Sequence, residues 1–207
     1  MTLSAAEVNR LKQAPAVEGV LPLFHDRWSP RALDSRAIST ADLTRIFEAA
    51  RWTASSSNEQ PWRFLLGIRG TETHDNIFSA LVGFNKAWAG SAPVLILGIA
   101  AAKASSGRPN TYALYDLGAA TSVLTLQAAA LGIGSHQMGG FDHAIARQAL
   151  TIPEEDYALG AVIALGYQAE PSTLGNEQLR EREVAPRDRK PLKEIVLSAL
   201  GTPADLG

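Results

Sequence analysis

The sequence predicts a sandwich of the α+β or α/β class, in which helices and strands alternate and helices dominate. Two observations lead to this prediction. The apolar fraction is 46% and the charged fraction 19%, as in ordinary globular proteins. Segments with helical periodicity also alternate along the chain with short apolar runs that suit strands. The chain has 207 residues and no break in composition, so we expect one domain spanning residues 1–207.

Helices are predicted where apolar residues recur at spacings of three and four. Ser39 and Asp42 form a start signal for a helix over 40–52. The longest candidate, 111–131, carries almost no charge on any side and is followed by Gly132, a residue that commonly ends helices. We therefore expect this helix to be buried on most faces. Further helices are predicted over 4–13, about 72–82, 143–150 (capped by Asp142) and 191–200.

Strands are predicted where short apolar runs stand between turn-forming residues. The run over 93–101 is nearly continuous and suits a central strand that is covered on both faces. The other strands are predicted over 62–69, 133–138 and 159–167. The segment 15–22 reads as an extended linker, and the charged run at 181–183 as a solvated loop.

Composition excludes several classes of function. Nineteen basic and 21 acidic residues give a formal charge of −2, which argues against nucleic acid or an anionic membrane as the partner. The absence of cysteine excludes disulfides, zinc–thiolate sites and thiol nucleophiles, and the four histidines show no ligand spacing, so we expect no metal site. The first residues lack the apolar core of a signal peptide, and no apolar stretch is long enough to span a bilayer. We expect a cytoplasmic protein.

Arginines at alternate positions occur twice, 160 residues apart. Arg27 and Arg31 flank Ser29, and Arg187 and Arg189 recur in the sequence PRDRKP. Alternate side chains of an extended segment point the same way, and guanidinium groups match the paired oxygens of a phosphate. The two segments would enclose one phosphate if they met in space. Taken alone, each is also explained by a solvated charged loop.

Two other segments have the composition of ligand-binding loops. The loop over 55–62, SSSNEQPW, places Asn58 and Gln60 between a helix and a strand, where their amides can donate and accept hydrogen bonds. Gly139 and Gly140 follow Met138 just before a predicted helix, and paired glycines let backbone amides approach a ligand closely. Each segment alone is also explained as a turn.

Together these segments resemble the nitroreductase superfamily of FMN-dependent oxidoreductases. That family carries R-x-S-x-R/K, then P-S-x-x-N-x-Q-P-W, a long helix ending in L-G, an E-G-F-D-type turn and finally P-[KR]-x-R-x-P. The matching order in this chain covers about 27–200, with residues 1–24 as an N-terminal helix and linker. There are two departures in the motifs: Ala54 replaces the proline of the loop, and Gly139 replaces the glutamate of the turn. The segment 103–110 is also short where larger members roof the substrate channel.

The resemblance implies a three-layer α-β-α sandwich with a mostly antiparallel central sheet, forming a homodimer with FMN at the subunit interface. The FMN phosphate would be held by Arg27, Ser29, Arg187 and Arg189. Arg31 would lie near the pyrimidine side of the flavin ring, and Asn58 and Gln60 would bind the ring edge or the ribityl chain. Backbone amides near the paired glycines would face N5 of the flavin. The residues that the resemblance places at FMN are Arg27, Trp28, Ser29, Arg31, Asn58, Gln60, Met138, Gly139, Gly140, Arg187 and Arg189. No catalytic acid or base is assigned.

The implied activity is electron transfer from NAD(P)H to a nitroaromatic, a quinone or a similar small electron-poor acceptor by a ping-pong mechanism. Three alternatives remain open on the sequence. One is a flavin enzyme of the same fold that does not use a nicotinamide, and the second is a protein that stores or senses FMN. The third, an anion- or nucleic-acid-binding module built on the arginines, is disfavoured by the net charge of −2.

Overall fold

A computed structural model describes residues 3–206 and shows, within them, an antiparallel sheet between two layers of helices. The strands of this sheet are β1 (Trp62–Ile68), β2 (Val94–Ala101), β3 (Gly134–Met138) and β4 (Tyr157–Gly166). Their order across the sheet is β1-β2-β4-β3. The helices are α1 (Ala5–Lys12), α2 (Pro22–Asp26), α3 (Thr40–Arg51), α4 (Glu72–Ala80), α5 (Gly83–Ala89), α6 (Ala113–Ala130), α7 (His143–Leu150), α8 (Glu177–Val184) and α9 (Leu192–Ile195). The α+β sandwich with a mostly antiparallel sheet is confirmed.

Strand β2 lies inside the sheet and is buried along nearly its whole length. Because successive side chains of a strand point to opposite faces, it contributes to two cores. Leu95 and Leu97 pack with residues of α4, α5 and α7, whereas Val94 and Ile96 pack with residues of α3 and α6. The near-continuous apolar run that predicted a doubly covered strand is thereby explained.

Helix α6 covers one face of the sheet but keeps an open face of its own. Its only charged residue, Asp116, is 2% exposed and accepts a hydrogen bond from the backbone N–H of Ser56 at 3.1 Å. Leu114 and Tyr115 are 52% and 78% exposed, and Gly118 on the next turn is also exposed. The prediction of burial on most faces is confirmed except for this open face, since most residues of the helix are buried or half-buried. The predicted end of the helix is confirmed, since Gly132 has a φ of +72°.

Two predictions for the C-terminal part are wrong. The charged run at 181–183 lies in α8, a helix capped by Asn176, and Glu183 is fully buried one turn after Leu179. The predicted helix over 191–200 stops at Ile195 and gives way to a hairpin of β5 (Leu197–Ala199) and β6 (Thr202–Pro203), with Gly201 at a φ of +83° in the turn. The apolar side chains of this C-terminal segment are exposed to solvent, and Leu200 is 100% exposed. A short helix without a surface to pack against has little stability of its own.

The other helix predictions, over 4–13, 40–52, 72–82 and 143–150, are confirmed, whereas α2, α5 and α8 were not predicted. Asp142 caps α7 as expected, because its carboxylate accepts from the backbone N–H groups of Ala144 and Ile145. Among the described helices, none has the length and hydropathy needed to cross a membrane.

Gly67 provides a test of how closely α4 packs on β1. A Cβ atom at Gly67 would lie 2.6 Å from the Cα of His74 in α4, a backbone atom that cannot rotate away. We expect Gly67→Ala to lower the free energy of unfolding by about 1–3 kcal/mol, the usual range for overpacking. Urea denaturation of Gly67→Ala beside Gly175→Ala, where a Cβ meets nothing within 4 Å, would measure it. Equal stability of the two variants would contradict the packing.

Candidate functional site

The segment with the first pair of arginines runs in extended form beside the end of β4. Ala32 accepts a hydrogen bond from the backbone N–H of Ala169 at 2.8 Å, and Asp34 donates to the carbonyl of Tyr167 at 2.7 Å. Trp28 and Pro30 are buried, whereas Arg27, Ser29 and Arg31 are half-buried. This alternation in burial agrees with the prediction that Arg27, Ser29 and Arg31 share one side of the segment. The indole of Trp28 is directed to α1, since it donates to Oδ1 of Asn9 at 2.8 Å.

Arg27 lies close to Arg187 and Arg189, so the structure brings the two arginine motifs together. Burial and, after it, the positive charges of Arg187 and Arg189 lower the pKa of Arg27. Arg187 is fixed by hydrogen bonds from Nη1 to the carbonyls of Lys12, at 2.8 Å, and His25, at 2.7 Å. No carboxylate of the described residues lies within ion-pair distance of these guanidinium groups. Among the described residues, Asp26 is the one carboxylate whose charge raises the pKa of a member of this cluster, Arg187. Three cations this close together are suited to bind an anion.

Arg31 lies beside the aromatic ring of Phe84 in α5. Its guanidinium carbon is 5.9 Å from the ring centre, and that of Arg182 is 5.1 Å from the same ring. Burial lowers the pKa of Arg31, and its Nε–H is buried without a hydrogen-bond partner. An unpaired buried donor on a cation is costly, so this atom is suited to a ligand oxygen.

Beneath Arg31, the carboxylate of Glu183 is fully buried. It accepts hydrogen bonds from the backbone N–H groups of Arg31 and Ala32, both at 3.0 Å. Burial raises the pKa of Glu183, while these two N–H groups and the charges of Arg31 and Lys12 act in the opposite direction. The carboxylate thereby joins α8 to the backbone of the first arginine motif.

His136 of β3 lies on the same side of the sheet as this cluster. Its Nδ1 is 3.1 Å from the carbonyl oxygen of Pro30, and the centre of its ring is 4.6 Å from the centre of the Trp88 ring. Burial and the charges of Arg31 and Arg27 lower the pKa of His136 to about 4. The imidazole is therefore neutral at physiological pH and adds no further positive charge beside the arginines.

The paired glycines stand at the end of β3 and contact α5. Gly140 accepts hydrogen bonds from Nδ2 of Asn85, at 2.9 Å, and from the backbone N–H of Val82, at 3.1 Å. A Cβ at Gly140 would lie 2.8 Å from Nδ2 of Asn85, whereas one at Gly139 would meet nothing within 4 Å. The backbone at Gly139 therefore faces open space, next to the buried side chain of Met138.

The loop with Asn58 and Gln60 lies at the opposite edge of the sheet, immediately before β1. Ser57, Asn58 and Gln60 all have positive φ values, of 51°, 57° and 46°. The side chains of Asn58 and Gln60 are exposed, and Gln60 Nε2 donates to the carbonyl of Asn58 at 3.1 Å. Since β1 and β3 are separated by two strands, each spaced by about 4.8 Å, this loop does not join the arginine cluster within one chain.

The sequence analysis did not single out the side chains that support the cluster. These are Lys12, Phe84, Asn85 and Glu183. Phe84 and Asn85 stand in a helix that was not predicted, and Glu183 in a run read as solvated. The one available signal was the spacing of Leu179 and Glu183, which places both on one face of a helix.

Comparison with known proteins identifies relatives. The sequence model of the Nitroreductase family matches residues 25–87 and 71–167. A protein of Archaeoglobus fulgidus named as an NADH dehydrogenase/NAD(P)H nitroreductase is 30% identical over 155 residues, 73% of this chain and 86% of that protein. An uncharacterised 15.4 kDa protein of Mycolicibacterium smegmatis is 34% identical over 143 residues, 66% of this chain and 95% of that protein.

Solved structures agree with these sequence relationships. The crystal structure of an oxidoreductase containing FMN superposes with a TM-score of 0.84 at 34% identity, covering 93% of this chain and 97% of that one. A structure from Desulfovibrio desulfuricans, described as a nitroreductase in complex with FMN, gives a TM-score of 0.69 at 25% identity, covering 89% and 98%. The fold, the order of the motifs and these matches together establish that the chain belongs to the nitroreductase family.

Proposed function

We propose that this oxidoreductase binds FMN, with the phosphate held by Arg27, Ser29, Arg187 and Arg189. The observation that carries the proposal is the cluster of Arg27, Arg187 and Arg189, none of which forms an ion pair with a carboxylate of the described residues. Burial and then the charges of Arg187 and Arg189 lower the pKa of Arg27. A phosphate dianion would neutralise this repulsion and accept the guanidinium hydrogen bonds. FMN-bound relatives of the same fold support the choice of anion.

The rest of the motif residues would orient the flavin ring. Arg31, with its unpartnered Nε–H, would donate to the pyrimidine side of the ring, where negative charge develops on reduction. The backbone amides from Met138 to Gly140 would face N5, since the chain is open at Gly139. When bound, FMN supplies the hydride chemistry, and the protein contributes binding, orientation and electrostatic stabilisation.

We further propose that the single domain of 1–207 functions as a homodimer, in which Asn58 and Gln60 of one chain complete the site of the other. Two observations support this. The loop precedes β1, one edge strand, whereas the first arginine motif contacts β3, the other edge strand, through Pro30 and His136. The open face of α6 and the C-terminal hairpin also expose large apolar side chains, among them Tyr115 and Leu200, and exposed patches of this kind mark protein interfaces.

The proposed reaction transfers electrons from NAD(P)H to a nitroaromatic, quinone or similar electron-poor acceptor. The name of the Archaeoglobus fulgidus relative supports a nicotinamide donor. Donor and acceptor would occupy the same site in turn, which is the ping-pong order. The side chains of the described site would bind and orient, while the electrons pass through the cofactor.

Replacing the phosphate-binding arginines tests the cofactor assignment. Arg27→Ala and Arg189→Ala should each weaken FMN binding by roughly 1.5–3 kcal/mol, the usual contribution of a hydrogen bond to a charged group. Riboflavin, which lacks the phosphate, should bind the variants as it binds the original protein. Flavin fluorescence titrations would measure both ligands. Arg45→Ala, which removes an exposed arginine paired with Asp42, is the control, and unchanged FMN affinity in the double variant would refute the assignment.

Placing a charge on the open face of α6 tests the dimer. Tyr115→Arg should convert a dimer into a monomer at micromolar concentration, because an unpaired charge buried in an apolar interface costs several kcal/mol. FMN should dissociate with the dimer if the partner completes the site. Sedimentation velocity, with Val17→Arg as the exposed control, measures the mass. A monomeric original protein that retains FMN would contradict the proposal.

The donor is tested by the visible spectrum of the FMN-loaded protein without oxygen. Addition of NADH or NADPH should bleach the flavin absorption within seconds, and a nitroaromatic or quinone should then restore it. Flavin reduction should proceed without the acceptor, and flavin reoxidation should proceed without the nucleotide, as a ping-pong order requires. A spectrum that persists with both nucleotides would exclude the nicotinamide donor and favour a storage, sensing or other dehydrogenase role.

A further inference from the structure

Two buried charged side chains connect the N-terminal helix, the first arginine motif and α8. Glu183 accepts from the backbone N–H of Arg31 through both carboxylate oxygens, at 3.0 Å each, and from Ala32. Lys12, at the end of α1, is also buried, and its Nζ donates to the carbonyls of Arg182, at 3.1 Å, and Ala185. Neither side chain belongs to a motif of the family resemblance.

The contact between α1 and the second arginine motif is reciprocal. The ammonium of Lys12 holds the carbonyl of Ala185, and the carbonyl of Lys12 accepts from Nη1 of Arg187, two residues later, at 2.8 Å. The same ammonium lies 4.9 Å from the centre of the Trp28 ring, in the first motif. Lys12 therefore contacts both chain segments that carry the arginines.

We propose that Lys12 and Glu183 are positioning residues that fix the distance between the two arginine motifs and thereby set the affinity for the phosphate of the cofactor. This inference rests on the proposed FMN site. Arg27 and Arg31 are attached to one segment and Arg187 and Arg189 to another, and mutual repulsion of their charges would separate the segments. Glu183, in α8, resists that separation by accepting from the backbone of the first motif, and the ammonium of Lys12 holds the carbonyl of Ala185 immediately before the second motif.

The test separates positioning from general stability by comparing two ligands. Glu183→Gln keeps the shape and one acceptor oxygen but removes the charge, and Lys12→Met keeps the apolar stem but removes the ammonium. Each should raise the Kd for FMN about tenfold, within the 5- to 150-fold range of coupled sites, and leave the Kd for riboflavin within about twofold. Glu181→Gln, the same change at an exposed position of α8, should alter neither.

Fluorescence titration with FMN and with riboflavin gives the ratio of affinities, and thermal unfolding confirms that each variant is folded. A ratio of FMN affinity to riboflavin affinity that is lower in Glu183→Gln and Lys12→Met than in the wild-type protein supports the proposal. An unchanged ratio, or equal weakening of both ligands, overturns it and leaves only a structural role; if Glu183→Gln does not fold, Lys12→Met alone decides. If the wild-type protein binds FMN no more tightly than riboflavin, the phosphate site is refuted, and this inference is refuted with it.

Discussion

The buried carboxylate of Glu183 is the contact on which the candidate site depends. A carboxylate in the interior loses its hydration, which is tolerated only when several donors replace the water. Here the donors are the backbone N–H groups of Arg31 and Ala32, with the charge of Lys12 nearby. The chain segments that meet at this carboxylate are far apart in sequence, so its burial requires that α1, the first arginine motif and α8 are all in place.

The cluster of Arg27, Arg187 and Arg189 carries an electrostatic cost in the absence of a bound anion. Arg27, Arg187 and Arg189 repel one another, and within the described residues only the charge of Asp26, which forms no ion pair with them, acts against that repulsion at Arg187. A bound dianion would convert it into attraction, so that binding and folding are linked, and the free energy of unfolding would rise with the concentration of free ligand. Neutral His136 fits this arrangement, because a protonated imidazole there would add a further positive charge.

Much of the fold follows from local patterns, whereas the support of the site does not. Strand β2 and helices α3 and α7 were predictable because their burial and caps are encoded in neighbouring residues. Helix α8 was not, because its segment is mostly polar and its one deeply buried charge is stable only through contacts about 150 residues away. The arginine motifs were recognisable as a pattern, but their meeting in space involves contacts of Lys12 and Glu183 with residues more than 150 positions away, which a local pattern does not reveal.

The strained loop before β1 is the remaining feature that one chain does not explain. Three non-glycine residues with positive φ each cost about 1–2 kcal/mol, and the loop is held in that form by the buried carboxylate of Asp116 and by Glu59, which accepts from the backbone and hydroxyl of Ser105. Strain of this kind is retained where a loop must present groups to a ligand. Since Asn58 and Gln60 lie at the sheet edge opposite the arginines, and the adjoining face of α6 is apolar and open, a second copy offers the arrangement in which this strain serves the site.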